Sequence, residues 1–149
     1  MEQQHTNKTR SLLNAMYKNV EMGAEAILNI LPKAEDKKFR AELTKQTEAF
    51  EGYANKISDL LRKEGEQPAE PGFMAKMGSK MGTMMNTMLD STTSHLAEMM
   101  IEGATMGITD MTRQVREYEN TDCSEKALSL AREIIGFEED TVERMKAYL

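Results

Sequence analysis

The stretch Lys63-EGEQPAEPGFMAKMGSKMGTMMNTMLDSTTSHLAEMM-Ile101 decides how the chain folds. Lys63 to Gly72 carries two Pro and two Gly, the composition of a linker. From Phe73 to Tyr118 there is no proline, and one unbroken helix over that span would be about 69 Å long. Asp90-Ser-Thr-Thr-Ser94 interrupts it with five short polar residues, which favour helix caps over helix interiors. The reading is therefore a short helix at 73–89 and a long one at 91–118. The rival keeps 73–118 as one continuous, projecting helix.

Working outward, the N-terminal segment is helical over 6–31. Leu13, Met16, Val20, Ala24, Ile27 and Leu31 fall within roughly 40° of one direction at 100° per residue. Pro32 ends that helix and fits the first turn of the next. The second helix, 35–64, has a heptad-like seam of Phe39, Leu43, Gln46, Phe50, Tyr53, Ile57 and Leu60. Asp122 followed by Glu125 reads as the capping pair of a last helix at 123–148. Short connections make two antiparallel hairpins, 6–31 with 35–64 and 91–118 with 123–148. Residues 65–90 between them can span a bundle of about 40 Å. The expected fold is all-α, a single domain over 1–149. It is a ferritin-like four-helix bundle with a short extra helix in its long crossover.

Composition narrows function by exclusion. The chain has 149 residues, 25 acids, 19 bases and a net charge of −6, with no basic block. A nucleic-acid partner, which needs Lys and Arg to displace phosphate counterions, is not expected. One Cys excludes a disulfide framework and a multi-Cys zinc site. No apolar run is long enough for a transmembrane segment, and MEQQHTNKTR lacks a signal-peptide core, so a cytoplasmic protein is expected. Phosphate loops, nucleophile elbows and His-Glu-x-x-His are absent from the sequence. Cys123 reads as an incidental surface thiol.

Asp90-STTSHLAEMMIEGATMGITDMTR-Gln114, with LPKAEDKKFRAEL after the first helix and FEEDTVERMKAYL at the end, resembles a group of small uncharacterised helical-bundle proteins of anaerobic Firmicutes. The resemblance covers nearly the whole chain and implies a ferritin-like fold. It implies no activity.

Ferritin-like di-metal sites use carboxylates from two helices and Glu-x-x-His from the other two. Glu2-Gln-Gln-His5 is the one such match and lies in the N-terminal tail. On the last helix, Ala127, Leu128, Ala131, Ile134, Ile135, Val142, Met145 and Leu149 form the apolar set, and Glu138 sits near its middle. A carboxylate there must be paired, hydrogen-bonded, protonated or metal-bound. The structural reading satisfies it with Tyr17, Tyr53, Gln46 or a water. The metal reading joins Glu138 to Glu21, Glu51 and Glu102, which share its height, with His95 as a further ligand and iron, manganese or another divalent metal as the cofactor. Helical angles place His95 and Glu102 away from the apolar line, so that reading requires helix rotations. His95, Glu98 and Glu102 form their own stripe with Met99 and Met106, either a solvated face or a metal or subunit contact.

Fourteen residues are Met, ten of them between Met74 and Met111. Met74, Met77, Met81, Met84, Met85 and Met88 share one side of the 73–89 helix. Flexible thioethers suit packing, a promiscuous partner surface or, least well, Cu(I). Gly78-x-x-x-Gly82 and Gly103-x-x-x-Gly107 suggest close approach of another helix. The functional expectation is a non-catalytic bundle that self-associates, or binds a helical partner, through the Met face together with Met99 and Met106. The alternative is a ferritin-like metal protein with a degenerate carboxylate site.

Overall fold

The computed structural model describes residues 2–66 and 90–149, with side chains from Asn7. Its elements are α1 (Glu2–Ile30), a 3-10 turn (Leu31–Lys33), α2 (Lys37–Lys63), α3 (Thr93–Tyr118) and α4 (Glu125–Lys146). Among the described residues there is no strand. The short helix expected at 73–89, its six Met and the Gly78/Gly82 pair lie outside the described residues.

Local chemistry sets each boundary. Pro32 falls in the 3-10 turn, and Asp36 caps α2 by accepting from the Phe39 N–H at 2.8 Å. Arg40 ties that turn down by donating to the carbonyls of Leu31 and Ala34. Gly65, at φ 83°, ends α2. The Glu66 N–H bonds to Leu61 O and the Gly65 N–H to Arg62 O, the Schellman pattern. The break near Asp90 is real and the continuous 73–118 helix is not. Asp90 Oδ1 accepts from the Thr92 N–H, and Thr92 caps α3 through the His95 N–H. Asn120, at φ 63°, follows the end of α3 in the left-handed region that Asn tolerates. The cap of α4 is Ser124, accepting from the Ala127 N–H, and not Asp122 as expected.

Contacts at the helix ends give the topology. Arg10 on α1 holds Glu64 O at the end of α2. Thr9 accepts from the Ser124 N–H at 3.0 Å and donates to Cys123 Sγ, while Lys8 meets Asp122 at 3.0 Å. The start of α1, the end of α2 and the α3–α4 turn therefore share one end of the bundle. At the other end, the Phe39 and Tyr148 rings meet edge-on. The α2 and α3 helices thus run parallel, and the chain between Glu66 and Asp90 joins opposite ends. That is the ferritin-like connection, as distinct from up-down-up-down.

The main pairings are α1 with α2, α1 with α3 and α3 with α4. Between α2 and α4 the Phe50, Phe137 and Tyr53 rings interlock at centroid distances of 5.1 and 5.4 Å. The α1 line Leu13, Met16, Val20, Ala24 and Ile27 is buried, whereas Leu31, expected at its end, is half-buried in the 3-10 turn. In α2 the seam turns at its end: Ala54 and Leu61 are buried where Tyr53 and Leu60 are only half-buried. In α4, Leu130 and Thr141 join the core, and Leu149, expected inside, is exposed beyond the helix. Cys123 is also corrected: it is buried. Burial pushes its thiol up, opposite to what a helix N-terminus alone would do.

Candidate functional site

The α1 and α3 helices pass each other with small side chains on their facing stripes. Ala15, Gly23 and Ala26 line one wall, and Gly103, Ala104 and Gly107 the other. Removing side-chain volume from both walls opens a cleft of about 820 Å³. Its floor reaches the two helices behind, at Gln46 and Phe50 of α2 and Glu138 and Thr141 of α4. Met22 and Met106 line it and are 63% and 66% exposed, so they form a thioether rim.

Among the described residues, two helical glycines lie against side chains, and they have different tasks. A Cβ on Gly23 would lie 2.5 Å from Phe50 Cζ, so Gly23 makes room for that ring. A Cβ on Gly107 would lie 2.8 Å from both Glu138 carboxyl oxygens. Gly103 has nothing within 4 Å of such a Cβ. The expected helix-on-helix approach over Gly103 and Gly107 is therefore replaced by another arrangement. Gly107 receives the Glu138 carboxyl, and Gly103 faces open space in the cleft.

Four polar side chains of the lining are almost wholly buried: Gln46 at 2% exposure, Glu138 at 3%, Thr141 at 5% and Asn19 at 7%. Asn19 Nδ2 donates to Gly107 O at 3.0 Å, which sets the amide's orientation and leaves Asn19 Oδ1 without a partner. Glu138 Oε2 and both amide atoms of Gln46 also lack one. The Thr141 hydroxyl is already used on Phe137 O. Burial, and secondarily the charge of Asp110, raises the Glu138 carboxyl from 4.5 to about 8. At neutral pH it is mostly a neutral acid. Such a floor is unusual because buried polar groups are nearly always hydrogen-bonded.

Glu138 is inward, as its position in the apolar set required. The partners expected for it are not all there: Gln46 shares the cleft without bonding, and Tyr53 packs on Phe137. The metal set is not brought together. Glu51 and Glu102 are exposed, Glu21 is half-buried, and none of them lines the cleft. His95 meets Glu98 at 3.9 Å on the surface. Among the described residues no group of three His, Cys, Asp or Glu could hold a metal ion. The reason is angular. At about 100° per residue, Glu21 lies about 160° from Asn19, and Glu51 and Glu102 lie about 140° from Gln46 and Gly107. Three of the four described long helices therefore present an amide or a glycine where a di-metal bundle presents carboxylate. Met99 and Met106 part company too: Met99 packs against the core, and Met106 stands on the rim.

Asn19, Asp110 and the Glu138–Gly107 contact did not emerge from the sequence. The available signal was the spacing of Ala15, Asn19, Gly23 and Ala26, small residues with one amide at helical intervals, matched by Met100, Gly103/Ala104, Gly107 and Asp110 on α3. Two complementary stripes of this kind mark a groove.

The fold is ferritin-like. Over 96% of this chain and 97% of the other, it is similar to a solved structure of a Dps1 mutant from Mycobacterium smegmatis, with a TM-score of 0.71 and 15% sequence identity. At that identity the likeness establishes architecture alone. No family model matches the chain, and a search of curated proteins finds no sequence match. No helix among the described residues is long and apolar enough to cross a membrane.

Proposed function

We propose that this ferritin-like bundle is a non-catalytic small-molecule-binding protein whose site is the α1–α3 cleft. One observation carries the reading: three nearly buried side chains, Asn19, Gln46 and Glu138, hold unspent hydrogen-bonding atoms at the floor of an 820 Å³ cleft. Ligand sites of this size join mostly apolar walls to a few convergent polar groups. Here Phe50, Met22, Met100 and Met106 supply the apolar surface. Among the described residues the site pairs no nucleophile with a base, which favours binding over turnover.

The metal alternative has less support, because the carboxylate set is dispersed on four different faces. The self-association reading rests on Met74 to Met88, outside the described residues, together with Met99, which packs against the core, and Met106, which lines the cleft.

A fragment screen read by 13C-methyl methionine NMR tests the proposal. Fragments that bind are expected to shift Met22, Met100 and Met106 while leaving Met16 unchanged. Protein purified without added metal is expected to carry no stoichiometric iron, manganese or zinc. A screen in which no fragment moves the cleft methyls, or stoichiometric metal lost on Glu138→Gln, rejects the reading.

A further inference from the structure

The unspent atoms at the floor are unequal in kind. Asn19 has used its amide N–H group on Gly107, so what remains is its carbonyl oxygen, an acceptor. Glu138 leaves Oε2, an acceptor when the acid is ionised. Gln46 leaves one acceptor and one donor. Asn19 and Glu138 flank the same residue: one binds the Gly107 carbonyl and the other lies against its Cα. Asp110 adds a second negative group three residues along the α3 wall. Acceptors outnumber donors, and the one ionisable group at the floor is the Glu138 acid, with Asp110 exposed nearer the mouth.

We propose that the cleft takes an organic cation, a primary ammonium on an apolar body, with the ammonium donating to Glu138, Asn19 Oδ1 and Gln46 Oε1. The inference rests on the cleft being a ligand site and adds the ligand's chemical class. An ammonium has three donors and no acceptor, matching three acceptors on three helices. An apolar body fits against Phe50, Met100 and the Met22 and Met106 rim. An anionic ligand would meet Asp110 and could not pair with an ionised Glu138, leaving Lys18 near the mouth as the lining's one cation among the described residues. A bare metal ion would leave most of the 820 Å³ unfilled.

Binding then moves a proton. The protonated acid gives up its O–H proton to solvent, and the resulting carboxylate accepts from the bound ammonium; no other bond changes. The charged groups lining the cleft are Lys18 on α1, Asp110 on α3 and Glu138 itself on α4, while α2 contributes the neutral Gln46 and Phe50. Burial and Asp110 hold the Glu138 acid up to about 8, and that is the group the ligand must ionise. Affinity for an ammonium therefore rises by up to about tenfold per pH unit below that value and levels off above it.

The test is calorimetry on the full chain with phenethylammonium chloride, against 2-phenylethanol and 3-phenylpropanoate as neutral and anionic counterparts. Titrations at pH 6, 7 and 9 run in two buffers of different ionisation heat. The expected result is binding of the ammonium with about one proton released at pH 6 and 7 and little at pH 9. The alcohol and the carboxylate bind at least about tenfold more weakly, and Glu138→Gln loses about tenfold or more for the ammonium alone. If the alcohol or the carboxylate binds as tightly, the cleft is a ligand site but not for a cation, and only this inference falls. If the ammonium binds without buffer-dependent heat, Glu138 is not its partner and the inference is again overturned, whatever the variant does. If none of the three binds, the inference fails, and the fragment screen separately decides the cleft.

Discussion

Replacing Glu138 with Gln isolates the electrostatic cost of the site. The acid is held up from 4.5 to about 8 in the folded chain. Between those two values the folded state keeps a proton that the unfolded state has lost. Stability is therefore full below about pH 4.5 and falls as pH rises, until the folded acid also ionises near pH 8. Each pH unit in the window costs about 1.4 kcal/mol, so the whole span approaches 4–5 kcal/mol. The carboxyl borders an open cleft, and partial solvation trims the working figure to about 2–4 kcal/mol. Gln has the same shape and no titration, so its offset from wild type at low pH is constant while the wild-type penalty grows. Urea unfolding at pH 5, 7 and 9 is the assay, since the other acids cancel between the two proteins. The variant is expected to gain on wild type by about 2 kcal/mol from pH 5 to 7 and further by pH 9. A pH-independent difference, or one that shrinks with pH, would refute the assignment of Glu138 as a buried, raised acid.

Three smaller changes probe the frame around the cleft. Gly23→Ala drives a methyl into the Phe50 ring; overpacking of about 1–3 kcal/mol outweighs a helix-propensity gain of about 1 kcal/mol, so the thermal midpoint should drop. Thr92→Ala removes the α3 cap and should lower stability by about 1 kcal/mol, with faster amide exchange in the first turn of that helix. Cys123, buried and with its thiol pushed up, should react with an aromatic disulfide reagent at least about tenfold more slowly in native than in unfolded protein.

Much of the fold was legible because its signals are local and periodic. Asp90-Ser-Thr-Thr-Ser94 marked the break, with Thr92 as the actual cap, because short polar side chains compete for backbone groups whatever surrounds them. The α1 line and the inward placement of Glu138 followed from helical angles alone. The cleft was less legible because it is a relation between helices. Glu138 could be placed on its own wheel, but what faces it depends on how α1 and α3 rotate against α4. Equal height along the bundle made Glu21, Glu51 and Glu102 look like partners, whereas rotation put Asn19, Gln46 and Gly107 there instead. Glycine compounds the difficulty: Gly107 reads as a helix-packing residue in sequence, and only the structure shows the Glu138 carboxyl lying where its side chain would be. The Ser124 cap of α4 was missed for a related reason, since Asp122 satisfied the same local pattern two residues earlier.

Gly103 offers the most direct test of the cleft as a binding site. A Cβ there would meet nothing within 4 Å, and Gly103 lines the cleft between α1 and α3. Gly103→Trp should therefore fill the cleft without stressing the bundle, and replacing a mid-helix Gly even favours the helix by a few tenths of a kcal/mol. The decisive measurement is a methyl NMR titration of Gly103→Trp with the fragments that bind wild type. An unchanged or raised thermal midpoint and loss of the fragment-induced shifts at Met22 and Met100 are expected. Fragments binding the folded variant as tightly as wild type would contradict the cleft as their binding site.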